Sequence, residues 1–285
     1  MHYPEFGQDQ ETADSSPFNP TMKSALLLVS SLALAAALPV FAGSPATSEK
    51  SVIIPPAPPQ QDEWYFTVAV YGWLSAVDGT TGVGSTSVSA DTSISDMIDE
   101  LEFGYMSYFE LGKGRWSLGV DAIYAKLSDD ATFTFGPVTG SADLEQEQAW
   151  ITARLQYTVC KTNRYKLDLF AGFRWNYVDV DIDINTNLGP GVNLGLTRDW
   201  FDPIVGFRSV CDLNDKCFLQ LMGDIGGFGV ESDLTWQALA GFGYRFTPKL
   251  NGLLGYRALG VDYEKDGFKL DTTSYGPVIG LSYTF

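Results

Sequence analysis

Ten charged residues share the parity of the small or polar face in a series of alternating segments. They are Glu110, Asp121, Arg154, Asp168, Arg174, Asp202, Arg208, Asp224, Arg245 and Arg257. Five are acids and five are bases, and such a balanced set can do one of two things. It can neutralise itself as a buried polar network, since an unpaired buried charge is costly. It can also line a narrow passage in which the arginines select a solute.

Other groups offer less. Asp179, Asp181 and Asp183 stand at alternate positions. They could share divalent cations with lipid phosphates or hydrate the end of a strand; three carboxylates on one strand face do not close a coordination sphere. Cys211 and Cys217 flank the turn Asp-Leu-Asn-Asp-Lys at the same parity, which suits a disulfide across the hairpin in an oxidising compartment. Cys160 has the opposite parity and is expected to stay free. A zinc site is the rival reading, but it would need a histidine or a fourth cysteine. The one histidine is His2. No Gly-rich loop follows a strand and enters a helix, so a nucleotide cradle finds no support.

The elements that must position these charges are strands. In the closing segment Tyr275–Phe285, Tyr275, Pro277, Ile279, Leu281, Tyr283 and Phe285 share one parity, and Gly276, Val278, Gly280, Ser282 and Thr284 share the other. Strict alternation is a strand with two unlike faces. A sandwich facing a soluble core would also alternate, but a strand ending on an aromatic residue with no polar tail fits a membrane barrel better. The same pattern recurs from Trp64 onward. Leu167, Leu169, Ala171, Phe173, Trp175 and Tyr177 form an apolar face closed by an aromatic pair, and the Asp179 ladder follows. Such a switch marks a strand leaving a bilayer at an aromatic girdle.

Short connections at 112–115, 161–164, 212–216 and 247–249 alternate with longer acidic or Gly-rich ones. The expectation is an all-β, closed antiparallel transmembrane β-barrel of about ten strands over residues 64–285, with short periplasmic turns and long outer loops. The boundaries also admit eight or twelve strands. The first long connection, 75–101, is expected to be irregular apart from a short helix at Asp91–Leu101, capped by Ser93 or Ser95, at the rim or in the mouth.

Residues 22–42 read as a secretory signal peptide: Lys23, an apolar run Ala25–Leu38, and Val40-Phe41-Ala42 before Gly43. A membrane anchor is the alternative, but no basic stop-transfer flank follows. Residues 1–21 read as a non-native extension ahead of a start at Met22. Residues 43–63 are Pro-rich and read as a periplasmic lead-in or a docking peptide. Cleavage before Gly43 would leave 31 acids, 17 bases and no histidine. The whole chain carries a net charge of −17, which argues against a nucleic-acid partner.

The alternating strands, the short turns and the terminal Leu281-Ser-Tyr-Thr-Phe285 resemble the small outer-membrane β-barrel proteins of Gram-negative bacteria, the OmpA-like and OmpW-like group. The resemblance covers Trp64–Phe285 and the signal peptide. It implies localisation in the bacterial outer membrane, contact with membrane lipid and lipopolysaccharide, and delivery to the barrel assembly machinery. Tyr283 and Phe285 would belong to the terminal signal that machinery reads. Barrel enzymes of this membrane are similar to one another in using a histidine as general base, so no enzyme is expected. No cofactor or metal site is expected either. The expected role is a monomeric barrel with a structural or surface-interaction function and a plugged or very narrow lumen. The alternative is a narrow channel for small solutes.

Overall fold

In the computed structural model, residues 63–83, 86–135 and 137–285 are described. The expected extension, signal peptide and nearly all of the lead-in lie outside them. Twelve strands and one short helix follow in order: β1 (Trp64–Trp73), β2 (Ala76–Val83), β3 (Thr86–Ser89), α1 (Ile94–Glu100), β4 (Leu101–Lys113), β5 (Trp116–Phe135), β6 (Val138–Lys161), β7 (Tyr165–Thr186), β8 (Gly189–Asp212), β9 (Cys217–Gly227), β10 (Leu234–Arg245), β11 (Leu250–Lys265) and β12 (Phe268–Thr284).

The strands pair antiparallel in a ring. From β4 to β12 each strand pairs with the next in sequence, and β1 pairs with β4 on one edge and β12 on the other. The seam between first and last strands runs from Thr67 opposite Thr284 to Trp73 opposite Val278. The hydroxyls of Thr67 and Thr284 bond at 2.9 Å, and the Phe285 amide donates to the Phe66 carbonyl at 2.8 Å. A ring of pairings satisfies backbone groups that a bilayer cannot hydrate.

Past the seam, β12 keeps pairing, now with β2, so β1 and β2 form one line along β12 with a jog at Leu74–Ser75. Leu74 donates to the Pro277 carbonyl at 3.1 Å within the jog. Gly276 is needed there because a Cβ would run into the Leu74 carbonyl oxygen. The stretch expected to be irregular therefore contains the β2–β3 hairpin. α1 is where the capping residues place it. Ser93 accepts from the Asp96 amide and Asp96 accepts from the Ser93 amide, a capping box. None of its residues is buried, which sets it at the rim rather than in the lumen.

The other long connections are also mostly strand. β5 and β6 stay paired to Phe135 and Val138, and β7 and β8 to Thr186 and Gly189. β11 and β12 stay paired to Lys265 and Phe268. The expected outer loops are thus corrected to extended hairpins. The reason is visible in β7, where Val180, Ile182 and Ile184 continue the inward parity while Asp179, Asp181 and Asp183 continue the outward one. Alternation persists, so the strand does too. The β11–β12 turn is Asp266-Gly267 at φ 51° and 75°, the backbone a two-residue hairpin loop needs.

The two faces differ as a lipid-facing ring requires. Phe173, Phe201, Leu254 and Ile279 point outward and are about 60% exposed (60, 58, 61 and 65%). Most buried residues lie on the inward face, mainly polar toward the short turns and mainly apolar toward the long hairpins.

Candidate functional site

Nine of the ten expected lumen charges lie inside the ring, and their pairings form levels along its axis. Nearest the short turns, Arg208 of β8 donates to Glu110 of β4 at 2.6 and 3.1 Å and to Asp168 of β7 at 2.9 and 3.1 Å. Tyr65 and Tyr108 donate to Glu110 at 2.7 and 2.6 Å, and Thr158 donates to Asp168 at 2.7 Å. Lys166, at 3.1 Å from Asp168, completes the group. Each carboxylate meets a cation and at least one hydroxyl donor, which offsets the cost of burying it.

The next level joins β11 to β5. Arg257 donates to Asp121 at 2.7 Å, to Gln237 at 2.6 Å and to the Tyr71 hydroxyl at 2.9 Å, and Tyr71 donates to Asp121 at 2.6 Å. Further along, Arg174 and Asp224 meet at 2.7 Å with both side chains fully buried. Arg174 also donates to Thr235 at 2.8 Å and Thr152 at 3.3 Å. Arg245 is the exception in place: it sits at the short-turn end and pairs with Asp212 at 2.6 Å.

Two residues depart from the expected paired network. Asp202 is fully buried and, although Arg174 stands opposite it on β7, forms no ion pair among the described residues. It accepts from Asn176 at 2.9 Å, Trp200 at 3.0 Å, and the amide and hydroxyl of Ser232 at 2.9 and 2.7 Å. Four neutral donors replace an ion pair, and they draw Ser232, from the β9–β10 connection, into the lumen. Arg154 has no carboxylate within ion-pair distance either; Asp121, paired with Arg257, attracts it only at longer range. Its guanidinium lies between the rings of Tyr108 and Phe170, 5.0 and 5.1 Å from their centroids, and its Nη1 donates to the Met222 sulfur at 3.0 Å.

Beyond Asp202 the inward residues turn apolar. Trp73, Ile123, Val178, Trp200, Leu259 and Tyr263 pack in one buried cluster, with the Trp200 and Tyr263 rings stacked at 4.1 Å. On the other side, toward the short turns, lies a cavity of about 490 Å³. Gly114, Lys161, Asn251 and Thr284 line it at the strand ends, and Tyr71, Asp121 and Arg257 line it deep in the ring.

The cysteines correct a second expectation. All three are free thiols, and Cys160 and Cys211 are exposed. Cys211 stands opposite Leu219, and the Leu213 amide bonds to the Cys217 carbonyl, so the two cysteines are diagonal rather than facing. Diagonal neighbours are about 7–8 Å apart, wider than the usual disulfide span. A register shift between Thr158 and Cys160 brings Cys160 opposite outward-facing Leu167, not inward as its parity suggested.

Tyr283 and Phe285 lie at the seam on the outward face. Their rings meet edge-on at 4.8 Å, and Phe285 stacks on Phe66 at 6.0 Å. The Asp179 ladder faces outward beyond Trp175 and Tyr177. Thr197 donates to Asp179 at 2.6 Å and Asn193 to Asp183 at 2.8 Å. No cluster of metal-ligating side chains occurs among the described residues.

No protein-family model and no curated protein matches the chain. Solved structures do. The outer membrane protease OmpT from Escherichia coli is similar at TM-score 0.53 and 12% identity, over 79% of this chain and 98% of that one. The translocator domain of the autotransporter NalP from Neisseria meningitidis matches at TM-score 0.40 and 13% identity, over 77% and 88%. The attachment invasion locus protein Ail of Yersinia pestis matches at 0.29 and 11%, over 78% and 98%. The fold is that of the Gram-negative outer-membrane β-barrel proteins, and the exposed apolar belt suits that membrane.

Proposed function

We propose that the chain is an integral outer-membrane protein, a closed barrel of ten strands (β1 and β4–β12) with its short turns in the periplasm and its long hairpins outside. It acts as a monomer with a structural or surface-interaction role rather than as an open pore. The observation that carries this is the buried Trp73–Trp200–Tyr263 cluster. It lies across the outer half of the lumen, above three levels of paired charges. Narrow barrels fill their interiors with side chains, whereas open aqueous channels need about 16–18 strands. Contact with lipopolysaccharide falls to the outward face, and Tyr283 and Phe285 serve delivery to the assembly machinery. No catalytic role is proposed, since the only histidine, His2, precedes the barrel.

The free thiols test the orientation. A bulky maleimide added to intact cells should leave exposed Cys160 unlabelled and react after the outer membrane is opened. Leu188→Cys, on the β7–β8 hairpin, should label in intact cells. The reverse pattern would invert the barrel and overturn the proposal.

A further inference from the structure

Arg154 is 4% exposed, and a guanidinium carries its charge at any physiological pH. Of its five N–H donors, one reaches a thioether, a weak acceptor, and the buried Nε has no partner. The neighbouring arginines are served differently: Arg208 holds two carboxylates, and Arg174 and Arg257 hold one each. A buried cation left in this state is normally destabilising. Two aromatic faces hold its plane in place, which reduces the ordering cost of binding.

Arg154 lines the 490 Å³ cavity, a volume in the range of small-molecule sites. Five cationic side chains line that cavity, Arg154, Lys161, Lys166, Arg208 and Arg257, against the two carboxylates Glu110 and Asp121. Ion pairs with Glu110, Asp121 and Asp168 occupy three of the five. Arg154 inside and Lys161 near the strand ends have no ion pair among the described residues. The facing wall is apolar, with Phe218, Met222, Leu239, Leu253 and Val278. The lumen is thus locally cationic in a chain of net charge −17.

We infer that this cavity is a binding site for a small organic anion with a carboxylate head and an apolar body, the head taken by Arg154 and the body lying on the Phe218–Leu253 wall. A carboxylate can engage two guanidinium donors at once, and the opening beside Lys161 admits it from the short-turn side. The site needs the cavity alone and does not depend on the outer half being sealed.

Calorimetric titration of the purified protein in detergent with benzoate, benzamide and inorganic phosphate tests this. The wild type should bind benzoate saturably at one site and benzamide at least about tenfold more weakly, the scale of one charge-assisted hydrogen-bond pair. Arg154→Gln should reduce benzoate to the benzamide level, and Arg154→Lys should retain part of the difference. Arg154→Met should unfold no earlier than the wild type, because the buried charge it removes is in ion-pair contact with no carboxylate and meets Asp121 only at longer range. Equal benzoate affinity in Arg154→Gln, or no saturable binding by the wild type, would overturn the site. Phosphate binding as tight as benzoate would overturn the ligand class. Earlier unfolding of Arg154→Met, or its failure to fold, would make Arg154 a structural residue and overturn the proposal too.

Discussion

Arg208 and Glu110, 98 residues apart, meet inside the ring at 2.6 Å. One sits on β8 and the other on β4, so the contact spans the lumen and ties opposite walls together. Asp168 on β7 shares the same guanidinium.

Removing Arg208 should therefore be severe. Arg208→Leu leaves buried Glu110 without its cation and buried Asp168 with Lys166 alone, and breaking a buried pair in this way costs about 3–5 kcal/mol. Lys166→Gln should cost far less, since Lys166 is partly exposed and Arg208 still serves Asp168. Equilibrium urea unfolding of the two variants in lipid vesicles gives the comparison. Equal losses would contradict the assignment of Arg208 as the shared counter-ion.

The outer β6–β7 ladder predicts the opposite sign. Asp143 faces Asp183, Glu145 faces Asp181 and Glu147 faces Asp179 directly across the strands. Like charges in such pairs destabilise, by about 0.2–1 kcal/mol each. Lys126 relieves one acid by bridging Glu145 and Glu102 at 3.1 Å each. Asp181 faces Gly195 on its other side. Asp181→Asn should stabilise the protein at low ionic strength, and the gain should fade in high salt as screening takes over. A loss of stability at low salt would show that Asp181 has a favourable partner.

The β11–β12 hairpin carries a pH dependence. Burial, then the charges of Asp271 and Asp233, push the Asp262 carboxyl above the ordinary carboxylate range; Asp271 stands directly opposite. A carboxyl whose folded pKa is raised contributes stability that is present below its unfolded pKa and lost as pH rises through the folded one. The hairpin should therefore tighten as pH falls from neutral into the carboxylate range, and Asp271→Asn should flatten that trend. Carboxyl NMR of Asp262 in both proteins checks it: an unmoved titration in Asp271→Asn would contradict the account.

Much of this architecture is legible in the sequence because a strand between lipid and lumen must alternate. Parity alone puts Glu110, Asp121, Arg174 and Asp202 inside, where they are buried. Parity also places Lys166 inward, a cation absent from the expected set. It cannot say which charges meet, since partners such as Arg208 and Glu110 are joined by closure of the ring. Nor does it reveal that Asp202 is held by four neutral donors, or that Arg154 forms no ion pair. The register that sets Cys211 opposite Leu219 and the shift that turns Cys160 outward are likewise properties of pairing. The outer hairpins are a different case. Asp266-Gly267 is a strong two-residue turn signal, and the strands on either side of it follow from that pair.

The proposed role rests on side chains filling the outer half of the lumen. Single-channel recording of the refolded protein, residues 43–285, in a planar bilayer tests it most directly. The account predicts no steady openings in the wild type, and openings when Trp200 and Tyr263, stacked at 4.1 Å, are both replaced by alanine. Steady conductance through the wild type would contradict it and make the lumen a passage.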